Sequence, residues 1–92
     1  MRILMVEDEK GLCDAIARSL RHLDYSVDCC HSGQSAMDIL SFECFDLVIL
    51  DLNLPDADGM AVLKTLRETD SETKVLILSA RGEVADRVAG LD

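Results

Sequence analysis

A three-layer α/β fold around a parallel sheet is the architecture this sequence predicts. Two four-residue apolar runs, Leu47-Val48-Ile49-Leu50 and Val75-Leu76-Ile77-Leu78, each stop at a polar residue, Asp51 or Ser79. A third run, Ile3-Leu4-Met5-Val6, stops at Glu7-Asp8. Short, wholly apolar runs bounded by polar or turn residues suit strands buried on both faces, as in a parallel sheet covered by helices. Segments with helical periodicity separate the runs, and strand–helix alternation implies right-handed βαβ units.

The elements follow in order. After the first strand, Leu12, Ala15, Ile16, Leu20 and Leu23 fall on one helical face with Arg18 and Arg21 off it. Asp8 or Glu9 is placed to cap that helix. Tyr25 to Cys30 alternates, with Val27 apolar and Asp28 polar, which suits an edge strand. Ser32-Gly33 opens a second helix through Ala36, Met37, Ile39 and Leu40. The third strand ends at Asp51, and a turn with Pro55 and Gly59 follows. Asp58 is expected to cap a third helix with Val62, Leu63 and Leu66 inward and Lys64 and Arg67 outward. Beyond the fourth strand, Gly82 and Glu83 lead into a last helical pattern of Val84, Val88 and Leu91.

With the amphipathic strand at the edge, the sheet order becomes 2-1-3-4. That is the beginning of the flavodoxin-like order 2-1-3-4-5, whose topological switch point lies between strands one and three. Ligands of open α/β sheets bind at that point, at the carboxyl ends of the strands.

Composition narrows the function. Ninety-two residues make one small domain. Hydrophobic residues form 49% of it, with one Tyr, two Phe and no Trp, so aliphatic side chains do the packing. Eighteen acidic against nine basic residues give a net charge of −9. That argues against nucleic-acid binding by this segment, which needs a basic footprint, and fits a cation site or a basic partner. No apolar run approaches the roughly 18 residues of a membrane span, and the start turns acidic too early for a secretory signal, so a cytoplasmic location is expected. Cys13, Cys29, Cys30 and Cys44 form no C-x-x-C pair, and the adjacent pair is poor zinc spacing. They read as reduced, small hydrophobes.

Glu7 and Asp8 end strand one and Asp51 ends strand three, so three carboxylates meet at the switch point. Crowded carboxylates repel, and one keeps its proton unless a cation intervenes. Mg²⁺ is the natural cation, since it takes one or two carboxylates, oxygen ligands and waters and leaves room for a phosphoryl oxygen. The backbone carbonyl of Asn53 is within sequence reach of the same ion, and the Ser79 hydroxyl can donate to a phosphoryl oxygen. Asp51, alone on the central strand, is the candidate nucleophile toward phosphorus, forming an acyl phosphate. Taken singly, each residue has a plainer reading: Glu7 and Asp8 as helix caps, Asp51 as a strand end, Ser79 as a loop serine, Asp56 and Asp58 as turn and cap residues. Their convergence on one sheet edge favours the chemical reading.

These residues resemble the receiver domain of two-component response regulators, over essentially the whole chain. The acidic pair Glu7-Asp8 matches the family's metal-binding pair. Asp51-Leu52-Asn53-Leu54-Pro55-Asp56-Ala57-Asp58-Gly59 matches the segment around its phosphorylated aspartate, and Leu78-Ser79-Ala80 its hydroxyl switch residue. The resemblance implies a CheY-like fold and a phosphoacceptor Asp51 fed by a phosphohistidine on a sensor histidine kinase. It also implies Mg²⁺ held by Glu7, Asp8, Asp51 and the Asn53 carbonyl, and Ser79 drawn to the phosphoryl group. The stretch from Ala80 to Asp92 is most similar to the subclass that carries a winged-helix DNA-binding domain, so DNA would be bound only through a domain absent from residues 1–92.

One departure stands out. Receivers continue for one more strand and helix, and the fifth strand carries a lysine that contacts the phosphoryl group. Only 13 residues follow Ser79, none of them lysine. The expectation is a receiver incomplete at its C-terminus, phosphorylated less efficiently, and self-associating to cover strand four and helix one. Two other readings compete. One is a non-phosphorylated interaction module. The other is a Mg²⁺-dependent phosphatase with an aspartyl nucleophile, which wants a second aspartate where Asn53 stands. A self-standing enzyme is not expected.

Overall fold

In the computed structural model the described residues are 1–54, 56, 59–69 and 72–78. They form β1 (Arg2–Val6), α1 (Lys10–His22), β2 (Ser26–Cys30), α2 (Gly33–Leu40), β3 (Leu47–Asp51), α3 (Gly59–Thr69) and β4 (Lys74–Leu78). The expected cap at Asp58, the Ser79 hydroxyl and the last helical pattern lie outside the described residues. All three strand pairings are parallel, and the order is β2-β1-β3-β4, with the more buried β1 and β3 at the centre.

The pleat sends alternate residues to opposite faces, and two separate cores result. Leu4, Val6, Val48, Leu50, Val75 and Ile77 pack with Ala36, Val62, Leu63 and Leu66 under α2 and α3. Ile3, Met5, Val27 and Ile49 pack with Cys13 and Ala17 under α1. Helices on both faces explain why β1 and β3 read as continuous apolar runs. β2, with Asp28 exposed and Val27 buried, reads as an alternating edge strand.

The buried face of α1 differs from the periodicity reading. Ile16 and Leu20 do reach the core, but Cys13 and Ala17 are its fully buried residues. Leu12 and Leu23 are exposed at 42% and 66%, and Ala15 also faces water. The small side chains at 13 and 17 let the helix approach the sheet closely, which leaves the bulkier Leu12 off the seam, with Ala15 beside it on the exposed flank. Glu9 occupies the N-cap position of α1 without a side-chain cap bond. Ser32 does cap α2, its Oγ accepting from Ser35 N–H at 3.1 Å.

The amino ends of the strands are tied by Arg2. Its backbone N–H donates to Asp46 Oδ2 at 2.7 Å, and its guanidinium reaches Glu43 at 2.6 Å and Asp28 at 3.3 Å while lying 4.5 Å above the Phe45 ring. Half-exposed ion pairs of this kind add little energy individually. Their effect is positional, joining β2, β1 and the entry to β3 at the end opposite the acidic residues.

On the α1 side of β4, Leu76 and Leu78 are only partly buried, whereas Val75 and Ile77 on the other side are fully covered. Among the described residues, no strand pairs with the outer edge of β4, and no helix is long and apolar enough to cross a membrane.

An acidic pocket at the carboxyl edge of the sheet

Parallel register places the acids. Val6 pairs with Leu50, so the next residues along the two strands, Glu7 and Asp51, emerge side by side. Asp8 follows on the β1–α1 turn. One carboxylate oxygen from each of Glu7, Asp8 and Asp51 lies within 4.8 Å of the others. Glu7 and Asp51 are buried, at 5% and 7% exposure, while Asp8 is open to solvent.

Backbone donors orient the two buried acids. Glu9 N–H donates to Glu7 Oε2 at 3.1 Å, and Asn53 N–H donates to Asp51 Oδ1 at 3.0 Å. Glu7 N–H in turn donates to the Cys30 carbonyl at 3.1 Å. His31 Nδ1 lies 2.9 Å from the Glu7 carbonyl, so the proton sits on Nδ1 when that bond is made. These bonds hold the carboxylates in place without neutralising them.

Burial pushes the Glu7 carboxyl up to about 7, with the bond from Glu9 N–H opposing it and the proximity of Asp8 and Asp51 adding to it. Near neutral pH a proton therefore does what a cation would do. Buried Glu7 and Asp51, with exposed Asp8 at the rim, form an all-oxygen donor set suited to a hard divalent ion, with open positions on the solvent side.

Two residues support the pocket in ways the sequence reading did not anticipate. Asp56 reaches back to α2: its Oδ1 accepts from Gly33 N–H at 2.8 Å and its Oδ2 from Gln34 N–H at 3.0 Å. Those two backbone donors hold the Asp56 carboxyl below its ordinary range. The loop after Asp51 is thus anchored to a helix N-terminus, where a carboxylate satisfies otherwise orphan N–H groups. A long-range partner of this kind leaves no local sequence signal.

Gly59 is the second. A Cβ built there would lie 2.7 Å from the Asp51 carbonyl oxygen and 2.7 Å from Leu52 Cα, both backbone atoms with no freedom to yield. Gly59 N–H also donates to the Leu52 carbonyl at 3.3 Å, closing α3 onto the strand end that carries Asp51. Gly59→Ala is expected to cost about 1–3 kcal/mol by forcing that backbone apart, read as a lower urea midpoint. Gly11→Ala is the control. Nothing lies within 4 Å of its Cβ position, on an exposed turn of α1, so better helix propensity should stabilise by about 0.5–1 kcal/mol.

Glu7, Asp8 and Asp51 are thus brought together as the sequence suggested. Asn53 is adjacent through its N–H, and Ser79 lies outside the described residues.

Comparison with known proteins agrees with this geometry. Residues 3–92 match the family described as response regulator receiver domain. The chain is 40% identical over 92 residues to the response regulator MprA of Mycobacterium avium (strain 104), and 44% identical to the transcriptional regulatory protein PmrA of Pectobacterium parmentieri. All of this chain is covered in both cases, but only 40% and 41% of those proteins, so it spans about two-fifths of their length. Among solved structures, the non-phosphorylated HemR receiver domain of Leptospira biflexa superposes with a TM-score of 0.82 at 32% identity, covering 87% of this chain and 64% of that one. TrrA of Thermotoga maritima, solved in complex with Mg(2+)-BeF, gives 0.84 at 29% identity, covering 90% and 72%. A chain from the complex of the histidine kinase ThkA with TrrA gives 0.80 at 30%, covering 86% and 68%. With the parallel 2-1-3-4 sheet and its acidic edge, the family match over residues 3–92 establishes that this chain belongs to the response regulator receiver domains.

Proposed function

We propose that the chain is a phosphoacceptor in a two-component pathway, with Asp51 as the acceptor and a sensor histidine kinase as the donor. The observation that carries this reading is the convergence of Glu7, Asp8 and Asp51 at the switch point of the sheet. An Asp51 carboxylate oxygen attacks the phosphorus of a phosphohistidine; the new O–P bond forms as the N–P bond breaks, and the imidazole keeps the electron pair. Mg²⁺, when bound, supplies charge neutralisation at the crowded acids. Glu7, Asp8, Asp51 and the Asn53 carbonyl would hold it. The bond from Asn53 N–H keeps one Asp51 oxygen oriented, leaving the other for attack. Ser79 is assigned the hydrogen bond to the phosphoryl oxygens that shifts the domain toward its active arrangement.

Two structures of one relative bear on the partners: TrrA is bound to Mg(2+)-BeF in one and in complex with the histidine kinase ThkA in the other. On the same footing the reading places the domain in the cytoplasm, as the signalling half of a transcriptional regulator whose winged-helix domain binds DNA. It is a signalling domain rather than an enzyme. The test is incubation with a small phosphodonor such as acetyl phosphate. One phosphoryl group per chain is expected with Mg²⁺ and none with a chelator; Mg²⁺-independent labelling would contradict the assignment.

A second reading, an interaction module, is favoured by the half-covered Leu76 and Leu78 and by an edge of β4 that no strand pairs with among the described residues. It has a second copy cover β4 and the adjoining side of α1. Analytical ultracentrifugation at micromolar concentration is expected to show dimers on that reading, and a folded monomer would remove it.

A further inference from the structure

The sequence treats the four cysteines as inert. The fold separates them. Cys30 points into the core beneath α2 and α3, whereas Cys29, its neighbour in sequence, points to the opposite face and packs in the cluster under α1. Cys13 of α1 is fully buried in that same cluster. Its Sγ lies 4.0 Å from the Met5 carbonyl, and Met5 is the residue of β1 paired in register with Cys29 of β2. The helix thus sets Cys13 over the β1–β2 seam, on the side to which Cys29 projects. Cys44 is exposed on the loop before β3 and belongs to neither core cluster.

We propose that Cys13 and Cys29 form an oxidisable dithiol, a modification site for a two-electron oxidant of the peroxide class that ties α1 covalently to β2. Accessibility sets the order of events. Cys29 is partly exposed and Cys13 is buried, so peroxide meets Cys29 first. The Cys29 sulfur attacks one peroxide oxygen; the O–O bond breaks, Cys29 becomes a sulfenic acid and water leaves. Cys13 sulfur then displaces that hydroxyl, the S–S bond forms, and a second water departs with the Cys13 proton. Two thiols are oxidised by two electrons and one peroxide becomes two waters.

The electrostatics agree with this division of roles. Burial first, and then the nearby Cys29 thiol, push Cys13 up to about 12, so it is a poor first target for peroxide. Cys30 is likewise pushed up to about 11, by burial first, and its direction into the other core removes it as a partner. In a reducing compartment, disulfides that do form are typically transient and redox-sensing, and this pair shares one cluster on one side of the β1–β2 seam. The site is also close to the acidic pocket, since Glu7 N–H is bonded to the carbonyl of Cys30, the residue after Cys29.

The test is peptide mapping with fragmentation under non-reducing conditions, after titrating the protein with hydrogen peroxide. A cross-link between Cys13 and Cys29 is expected, surviving in Cys30→Ser and Cys44→Ser and absent in Cys29→Ser. The linked protein should melt about 10 °C or more higher than the reduced one, reversibly with dithiothreitol. A Cys44–Cys44 dimer, a Cys29–Cys30 bond, or over-oxidation of Cys29 without a cross-link would each overturn the proposal. The wild-type map and the Cys30 and Cys44 variants decide the matter even if substitutions at the buried Cys13 do not fold.

Discussion

Asp51→Asn is expected to reduce phosphoryl labelling to background and, at the same time, to make the metal-free protein more stable. The first effect follows from chemistry, because an amide oxygen is not a nucleophile toward phosphorus under these conditions. The second follows from the crowding of the pocket. Asp51 is 7% exposed and shares a cluster within 4.8 Å with Glu7 and Asp8. Removing one negative charge relieves repulsion, while an asparagine oxygen still accepts the bond that Asn53 N–H makes to Asp51. A gain of about 1 kcal/mol, equal to somewhat less than one pKa unit of relief on Glu7, should raise the melting temperature by roughly 4–8 °C. Stability gained together with function lost marks a site built for function rather than for folding. A variant that loses labelling and also loses stability would instead describe Asp51 as a structural residue.

A pH dependence of opposite sign to ordinary acid denaturation is the second large expectation. Glu7 titrates at about 7 in the folded protein against an ordinary value of 4.5. Between those values the folded protein holds a proton that the unfolded chain has released. The stability associated with this group is fully present below the ordinary value and is lost as pH rises through about 7. The loss is roughly 2–4 kcal/mol for a shift of this size. Asp56, held below its ordinary range, has the opposite sign, but its effect falls in more acidic solution, outside this window. Thermal melts of metal-free protein from about pH 5 to pH 8 should therefore fall with rising pH, and Glu7→Gln should flatten the trend. Mg²⁺ held at these acids as proposed would compete with the proton, so the stabilisation on adding it should grow over the same range, with affinity rising up to about tenfold per pH unit below 7. A metal-free protein whose stability rises steadily with pH would contradict the assignment of a raised Glu7.

Much of this was legible in the sequence, for reasons that can be located. Apolar runs of four residues, each delivering a polar group, were enough to place β1, β3 and β4, and the alternation in β2 put it at the edge. Parallel register then forces Glu7 and Asp51 together, so the acidic cluster follows from topology. The seam of α1 was harder. Leu12 and Ala15 share the helical period with Ile16 and Leu20, and only the close approach allowed by Cys13 and Ala17 decides which flank is buried. Asp56 and His31 were beyond reach because their partners, Gly33, Gln34 and the Glu7 carbonyl, are distant in sequence. Gly59 was visible as a turn residue, but its contact with the Asp51 backbone required coordinates.

The acidic edge of the sheet is proposed to make Asp51 a phosphoacceptor. Its most direct test is to map the labelled residue after treatment with acetyl phosphate and Mg²⁺, trapping the acyl phosphate by borohydride reduction before peptide mass spectrometry. Modification is expected at Asp51, with Glu7 and Asp8 untouched. Label on either of those residues, or on a histidine or serine, would contradict it.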